Sequence, residues 1–281
     1  MMLTVPRPDR LAWLVMPGLI VLLIIYAWPL MNLLGSSLIT DEGRWSISAY
    51  ADFLTDDYHL KVLWRTLRVA LLTTLLALLI AYPTALTMAN ASERVQSLFL
   101  IAMILPLSVG VVVKAFAWSI LFRTRGVINQ TLMSLGITDE PIRLLFTETA
   151  LVIGAANVFL PFMVLPIYAV LRQLDRSLPD AAASLGASPW FRFRHVTWPL
   201  SLPGVIAGCS LTFSLAVSMY VIPSLIVGER QQTLSMLIAR SYLYLRDEQL
   251  GSTISAILLI IAVSVVLLSS ILVTRQKAHQ A

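Results

Sequence analysis

Residues 149–171 read TALVIGAANVFLPFMVLPIYAVL, 23 positions without a formal charge. A helix needs about 20 apolar residues to cross a hydrocarbon core of roughly 30 Å. Five more charge-free runs lie around this one: 11–40 (30 residues), 69–92 (24), 95–113 (19), 196–228 (33) and 249–274 (26). Six runs qualify as crossings. The two longest have room for an interfacial turn but not for two crossings and a connection. The reading is an all-α polytopic membrane protein, with spans near 11–39, 66–90, 95–122, 149–171, 199–228 and 249–274 forming one domain over 11–274.

Composition agrees. Of 281 residues, 58% are hydrophobic and 12% charged, about half the share that covers the surface of a soluble domain. That excludes an ordinary soluble enzyme, a disordered chain and a secreted disulfide scaffold. The net charge of +5 is read as Lys and Arg flanking apolar spans, not as a nucleic-acid surface. One cysteine, Cys209, permits no intrachain disulfide or Cys-based metal cluster and is read as a packing residue. There is no G-x-x-x-x-G-K-[ST] phosphate loop, no metal-ligand spacing and no nucleophile elbow. His59, His195 and His279 make no constellation. No catalytic residue, metal or cofactor is expected in this chain.

The first run is longer than the 7–15-residue core of a secretory signal, and no cleavage site stands out after Arg7 and Arg10. It is read as the first transmembrane helix, preceded by a short tail over 1–10 with Pro6 and Pro8. With the N-terminus inside, the inner segments hold 9 Lys/Arg in 48 residues and the outer ones 8 in 68. Positive charge concentrates on the cytoplasmic side, so both tails, 1–10 and 275–281, are placed there. Prolines recur in or beside the spans: Pro29, Pro83, Pro106, Pro161, Pro166, Pro203 and Pro223. Each removes a backbone donor, which lipid tolerates only where neighbouring protein or a wet cavity satisfies the freed groups. Two readings fit, a bundle around a pathway and packing kinks in an inert bundle.

The inner connection 173–199 reads QLDRSLPDAAASLGASPWFRFRHVTWP. Ser177 and Asp180 form a capping pair, Pro179 suits a first turn, and Ala181, Ala182 and Ala183 favour helix. Gly186 supplies a left-handed stop. Ser188 and Pro189 restart a helix as cap and first residue, running through Trp190 to Val196 until Pro199 opens the fifth span. Such a knob suits seating in another protein's groove, its aromatics being types enriched at interface cores. It equally suits an amphipathic stretch on anionic lipid, with Arg192, Arg194 and His195 facing headgroups.

This stretch resembles the E-A-A-x3-G-x9-I-x-L-P loop of binding-protein-dependent ABC importer permeases. Asp180, Ala181 and Ala182 fall on E-A-A, Gly186 on the glycine and Pro199 on the proline, while Val196 and Trp198 replace isoleucine and leucine. Trp198 is the departure that bears on the fit to a partner. The resemblance implies a type I importer permease fold in which this loop is the coupling helix that docks on an ATPase. Pro106, residues 114–118 (KAFAW), 126–129 (GVIN), 160–166 (LPFMVLP) and 221–223 (VIP) resemble the spermidine/putrescine branch in its first-permease, PotB-like form. Members of that branch usually carry arginine where Lys114 stands, and the branch includes relatives for opines, 4-aminobutyrate-like compounds and other small organic solutes. The implied partners are a second, PotC-like permease, two ATPase subunits that bind ATP and Mg, and a periplasmic solute-binding protein.

Lys114 is the one charge embedded between apolar segments. A group at membrane depth is a functional candidate; a lysine near the end of the third span also snorkels, and both readings stand. Trp118, four residues on, shares its face, which permits a cation–π contact. Asn157 marks a polar spot in the fourth span. Met219 and Tyr220 resemble the gate region, with core packing as their other reading. The spans hold no internal carboxylate; Glu148, Glu229, Asp247 and Glu248 lie at outer ends, placed to line an entrance. An ion-coupled transporter would show inverted repeats or charged relays within spans, and an intramembrane enzyme a catalytic pair at depth. Neither pattern is present in the sequence.

Overall fold

The computed structural model describes residues 8–39, 43–175 and 177–280; most of the expected tail 1–10 lies outside them. In chain order come α1 (Pro8–Leu38), α2 (Ser48–Thr55), α3 (Asp57–Asn90), α4 (Glu93–Ser108), α5 (Val111–Leu121) and α6 (Val127–Ser134). There follow α7 (Glu148–Gln173), α8 (Ser177–Ser184), α9 (Pro189–Arg192), α10 (Trp198–Ser218), α11 (Val221–Ile226), α12 (Leu234–Arg240) and α13 (Glu248–Gln280). Among the described residues the sole β contact is a bridge between Ile39 and Trp45. The chain divides into two units, one reaching to Asp56 and including Ile238–Ile257, the other comprising Asp57–Leu237 and α13 from Leu258 onward.

In the first unit, α1 presents its apolar side chains outward, with Leu23, Ile24, Tyr26 and Trp28 all exposed, as suits a helix in contact with lipid. Ser37 Oγ and Tyr50 OH share a hydrogen bond of 2.7 Å. Asp247 Oδ1 accepts from the Leu250 amide at 2.8 Å, capping the start of α13 and satisfying one of its otherwise orphaned donors.

The second unit is built on α3, α7 and α10. Without a hydrophobic drive between helices in lipid, association depends on close packing through small residues, and α3 and α10 supply them at fourfold spacing. On α3, Ala77, Ala81, Ala85 and Ala89 are all buried. On α10, Gly204 and Gly208 face the backbone of α7. A Cβ on Gly204 would stand 2.8 Å from the Pro166 carbonyl oxygen, and one on Gly208 would stand 3.0 Å from that of Met163. Larger side chains close the core around this contact, Met163, Val164 and Ile167 from α7 packing with Met88 from α3 and Val205 from α10.

Two of the expected spans are not continuous. The third, read as one helix over 95–122, is the pair α4 and α5, bent by 97° at Val109 and Gly110. The fifth, read over 199–228, breaks after Ser218. Met219 is extended (ψ 133°) and lies four residues before Pro223, whose ring crowds the carbonyl of that position in a helix. The start of this span also differs. Its helix is continuous with α9 through a wider π-helical turn, Phe193–Thr197, in which the Trp198 amide reaches back to the Phe193 carbonyl. The wider turn carries the chain into Pro199, which has no amide to donate.

The close approach of α7 and α10 makes a directional prediction. Gly204→Ala should lose about 1–3 kcal/mol of stability by overpacking, read as a lower thermal unfolding temperature in detergent. Gly18→Ala in α1, with nothing within 4 Å of the added carbon, should leave that temperature unchanged or slightly raised.

Candidate functional site

The loop between α7 and α10 folds as a compact knob. α8 begins at Ser177 rather than being capped by it. The Ser177 amide donates to Asp175 Oδ1 at 2.9 Å, and this bond holds the Asp175 carboxyl below the usual carboxylate range. The sequence reading gave the cap to Ser177 and missed Asp175, whose signal was the D-x-S spacing of an Asx turn. At the other end, Gly186 takes φ +83°. Its amide donates to the Ala183 carbonyl at 2.9 Å and the Ala187 amide to that of Ala182 at 3.0 Å, the paired bonds of a Schellman stop. Ser188 Oγ accepts from the Phe191 amide at 3.3 Å, and Pro189 opens α9 as the sequence predicts.

Outward, the knob shows Asp180, Ala181, Leu185, Ser188, Trp190 and Phe191, with Leu185 at 89% exposure. Inward, it is tied to the bundle by rings. Trp198 lies 5.0 Å from Tyr82, and Phe193 meets the same tyrosine edge-on at 5.9 Å while stacking on Trp190 at 5.5 Å. Tyr82 OH shares a 2.9 Å hydrogen bond with Ser201 Oγ. Trp198, the departure from the family's leucine, thus packs into the bundle and does not form part of the outward surface.

Deeper in the second unit, the two helix breaks flank one cavity of about 400 Å³, lined by Val109, Gly110, Lys114, Phe159, Met219 and Tyr220 among others. Lys114, Met219 and Tyr220, singled out separately in the sequence, meet here. No carboxylate lines the cavity. Phe159 and Phe162 were missed, although their spacing on α7 around Pro161 marks one face. Trp118 and Asn157 form a separate pair: Trp118 Nε1 donates to Asn157 Oδ1 at 3.1 Å. The Trp118 ring stacks on Phe122 with centroids 5.0 Å apart, a partner other than the Lys114 cation the spacing permits.

At the far end of α7, roughly 39 Å from the knob by helix rise, stands Glu148, one of the acids expected at an entrance. Glu148 is held by two arginines, Arg65 Nε at 3.1 Å and Arg68, so its charge is neutralised within the unit. Glu229 accepts from the Gln232 side chain. Asp247 and Glu248 belong to the first unit, where Asp247 is the helix cap described above. Among the described residues no group of three His, Cys or carboxylate side chains has the geometry to hold a metal.

Comparison with known proteins gives these features a context. The sequence profile of the binding-protein-dependent transport system inner membrane component matches residues 10–278. The spermidine/putrescine transport system permease protein PotB of Escherichia coli (strain K12) is 32% identical over 239 residues, covering 83% of this chain and 86% of its own. The putative 2-aminoethylphosphonate transport system permease protein PhnU of Salmonella typhimurium is 29% identical over 241 residues, covering 81% of this chain and 80% of its own. In three dimensions, a chain from a bacterial ABC transporter involved in the import of the acidic polysaccharide alginate superposes with a TM-score of 0.77, covering 95% of this chain and 96% of that one. At 16% identity that likeness speaks for the fold alone. With a profile spanning nearly its whole length and a close match in PotB, the chain belongs to the family of binding-protein-dependent transport system inner membrane components.

Proposed function

We propose that this chain is the first permease of an ATP-driven importer and that its 173–199 knob receives force from a separate ATPase. As a transport component of its family the chain is not an enzyme. ATP and Mg belong to the partner ATPase, two copies of which would act on this chain and on a distinct PotC-like permease. The knob and both termini face the cytoplasm, and a periplasmic solute-binding protein delivers cargo at the opposite end. ATP-driven closure of the ATPases draws the knobs together, the bundle opens outward, and hydrolysis resets it inward. The observation that carries this reading is the construction of the knob. Its outward face exposes Leu185, Trp190 and Phe191, its turn is fixed by a left-handed glycine, and its inner aromatics join it to α3 and α10, so a push on Trp190 or Leu185 moves two spans.

The cargo is a small organic solute. Similarity to PotB favours a polyamine, passing through the cavity at Lys114, Met219 and Tyr220 with Trp118 and Asn157 bracing its wall. A second reading has one specific observation in its favour: the cavity presents an ammonium group and no carboxylate, which suits a solute bearing an acid, such as an opine or a 4-aminobutyrate-like compound. Of the candidate entrance carboxylates, Glu148 and Asp247 are engaged in structure and Glu229 accepts from Gln232.

Gly186→Val forces a β-branched residue into the left-handed region, which costs about 1–2 kcal/mol locally. Uptake into proteoliposomes should fall to near background and co-purification of the ATPase should weaken, while membrane insertion is retained. Normal uptake by this variant would remove the coupling role. Lys114→Met separates the two cargo readings. Spermidine uptake should hold or rise if the cargo is a polycation, whereas for an acid-bearing cargo KM should rise about tenfold, the loss expected for one charge-assisted hydrogen bond.

A further inference from the structure

We propose that the root of the knob holds a phosphate site, occupied by the headgroup of an anionic phospholipid or by free phosphate of the same chemistry. A cavity of about 270 Å³ opens between the ends of α3 and α7 and the start of α9. Arg172 and Arg192 both line it, with Thr197. The Nε of Arg192 is shut off from water and has no hydrogen-bond partner. A guanidinium stays charged at any physiological pH, and a buried donor left unmade costs the desolvation of that group in full. The one carboxylate in the lining, Asp175, is turned to the Ser177 amide, and neither arginine has an ion pair among the described residues.

The cavity therefore carries two guanidinium groups against one carboxylate, with N–H donors left unpaired. Phosphate supplies several oxygens in the geometry that arginine forks match. Leu86 and Leu171 form an apolar wall beside the arginines, which suits the glycerol and upper chain of a lipid, and basic pockets between spans are recognised sites for such headgroups. A phosphate here would tie α3, α7 and the knob together where motion passes between them. The inference concerns binding alone and does not depend on the cargo or on the direction of transport.

The test uses the full chain in phosphatidylcholine nanodiscs, titrated with dihexanoyl-phosphatidylglycerol, dihexanoyl-phosphatidylcholine or inorganic phosphate. Protection of amides 172–197 from hydrogen exchange reads binding. Phosphatidylglycerol should protect saturably and the zwitterionic lipid should not. Arg172→Gln with Arg192→Gln should weaken the effect about tenfold or more, Arg192→Lys should restore part of it, and Arg123→Gln with Arg143→Gln, at the other end of α7, should not change it. Saturation by inorganic phosphate at the same concentration would assign the site to a soluble anion; much tighter binding of the lipid would assign it to the membrane. If the double variant fails to insert, Arg192→Gln alone is read. No saturable protection by either anion, or equal protection in the arginine variants, would overturn the proposal.

Discussion

The backbone of α10 lies against the backbone of α7 because Gly204 and Gly208 have no side chain to hold them apart. In lipid, where apolar side chains gain little by leaving one apolar phase for another, this proximity is what packing has to offer. The alanine ladder of α3 completes the arrangement, giving three helices with small faces and large residues such as Met163 and Ile167 filling the remaining space. Everything else in the second unit is positioned by this contact. The knob grows out of the ends of α7 and α10, and the cavity lies where their neighbours break.

The breaks obey the same rule that forbids loose backbone in hydrocarbon. Met219 leaves the helix four residues before Pro223, whose ring crowds its carbonyl there, and the α4–α5 bend falls at Val109 and Gly110. Both irregular segments border one cavity and so have a surface other than lipid to face. Lys114 stands in that cavity. A lysine without a carboxylate beside it gives that cavity a positive character. At the far end of α7 the reverse holds, since Glu148 is cancelled by Arg65 and Arg68 and contributes cohesion in place of an open negative charge.

Between bundle and knob the coupling is aromatic. Tyr82 receives Trp198 and Phe193 and is itself fixed to Ser201, so the π-helical turn before Pro199 is clamped from the side of α3. In the proposed coupling role, a junction of this kind would pass displacement on instead of absorbing it. It also leaves the arginine-lined recess at its base, where the Arg192 Nε is enclosed without a hydrogen-bond partner.

The sequence by itself determined the elements whose signals are local. Charge-free runs set the approximate place of the long apolar helices, since length and hydropathy depend on no partner. Gly186, Ser188 and Pro189 marked the turn and restart of the knob, since backbone conformation and capping are decided within a few residues. Tertiary structure decided what depends on neighbours. It turned Trp198 inward, bonded Trp118 to Asn157 and not to a cation, gave Asp175 the cap that Ser177 seemed to hold, and neutralised Glu148. It also gathered Lys114, Met219 and Tyr220 at one cavity from three separate stretches. The physical reason is common to all of these: a side chain's role follows from which groups come within a few ångströms of it, and spacing along one helix constrains only the face it shares, not what packs against that face.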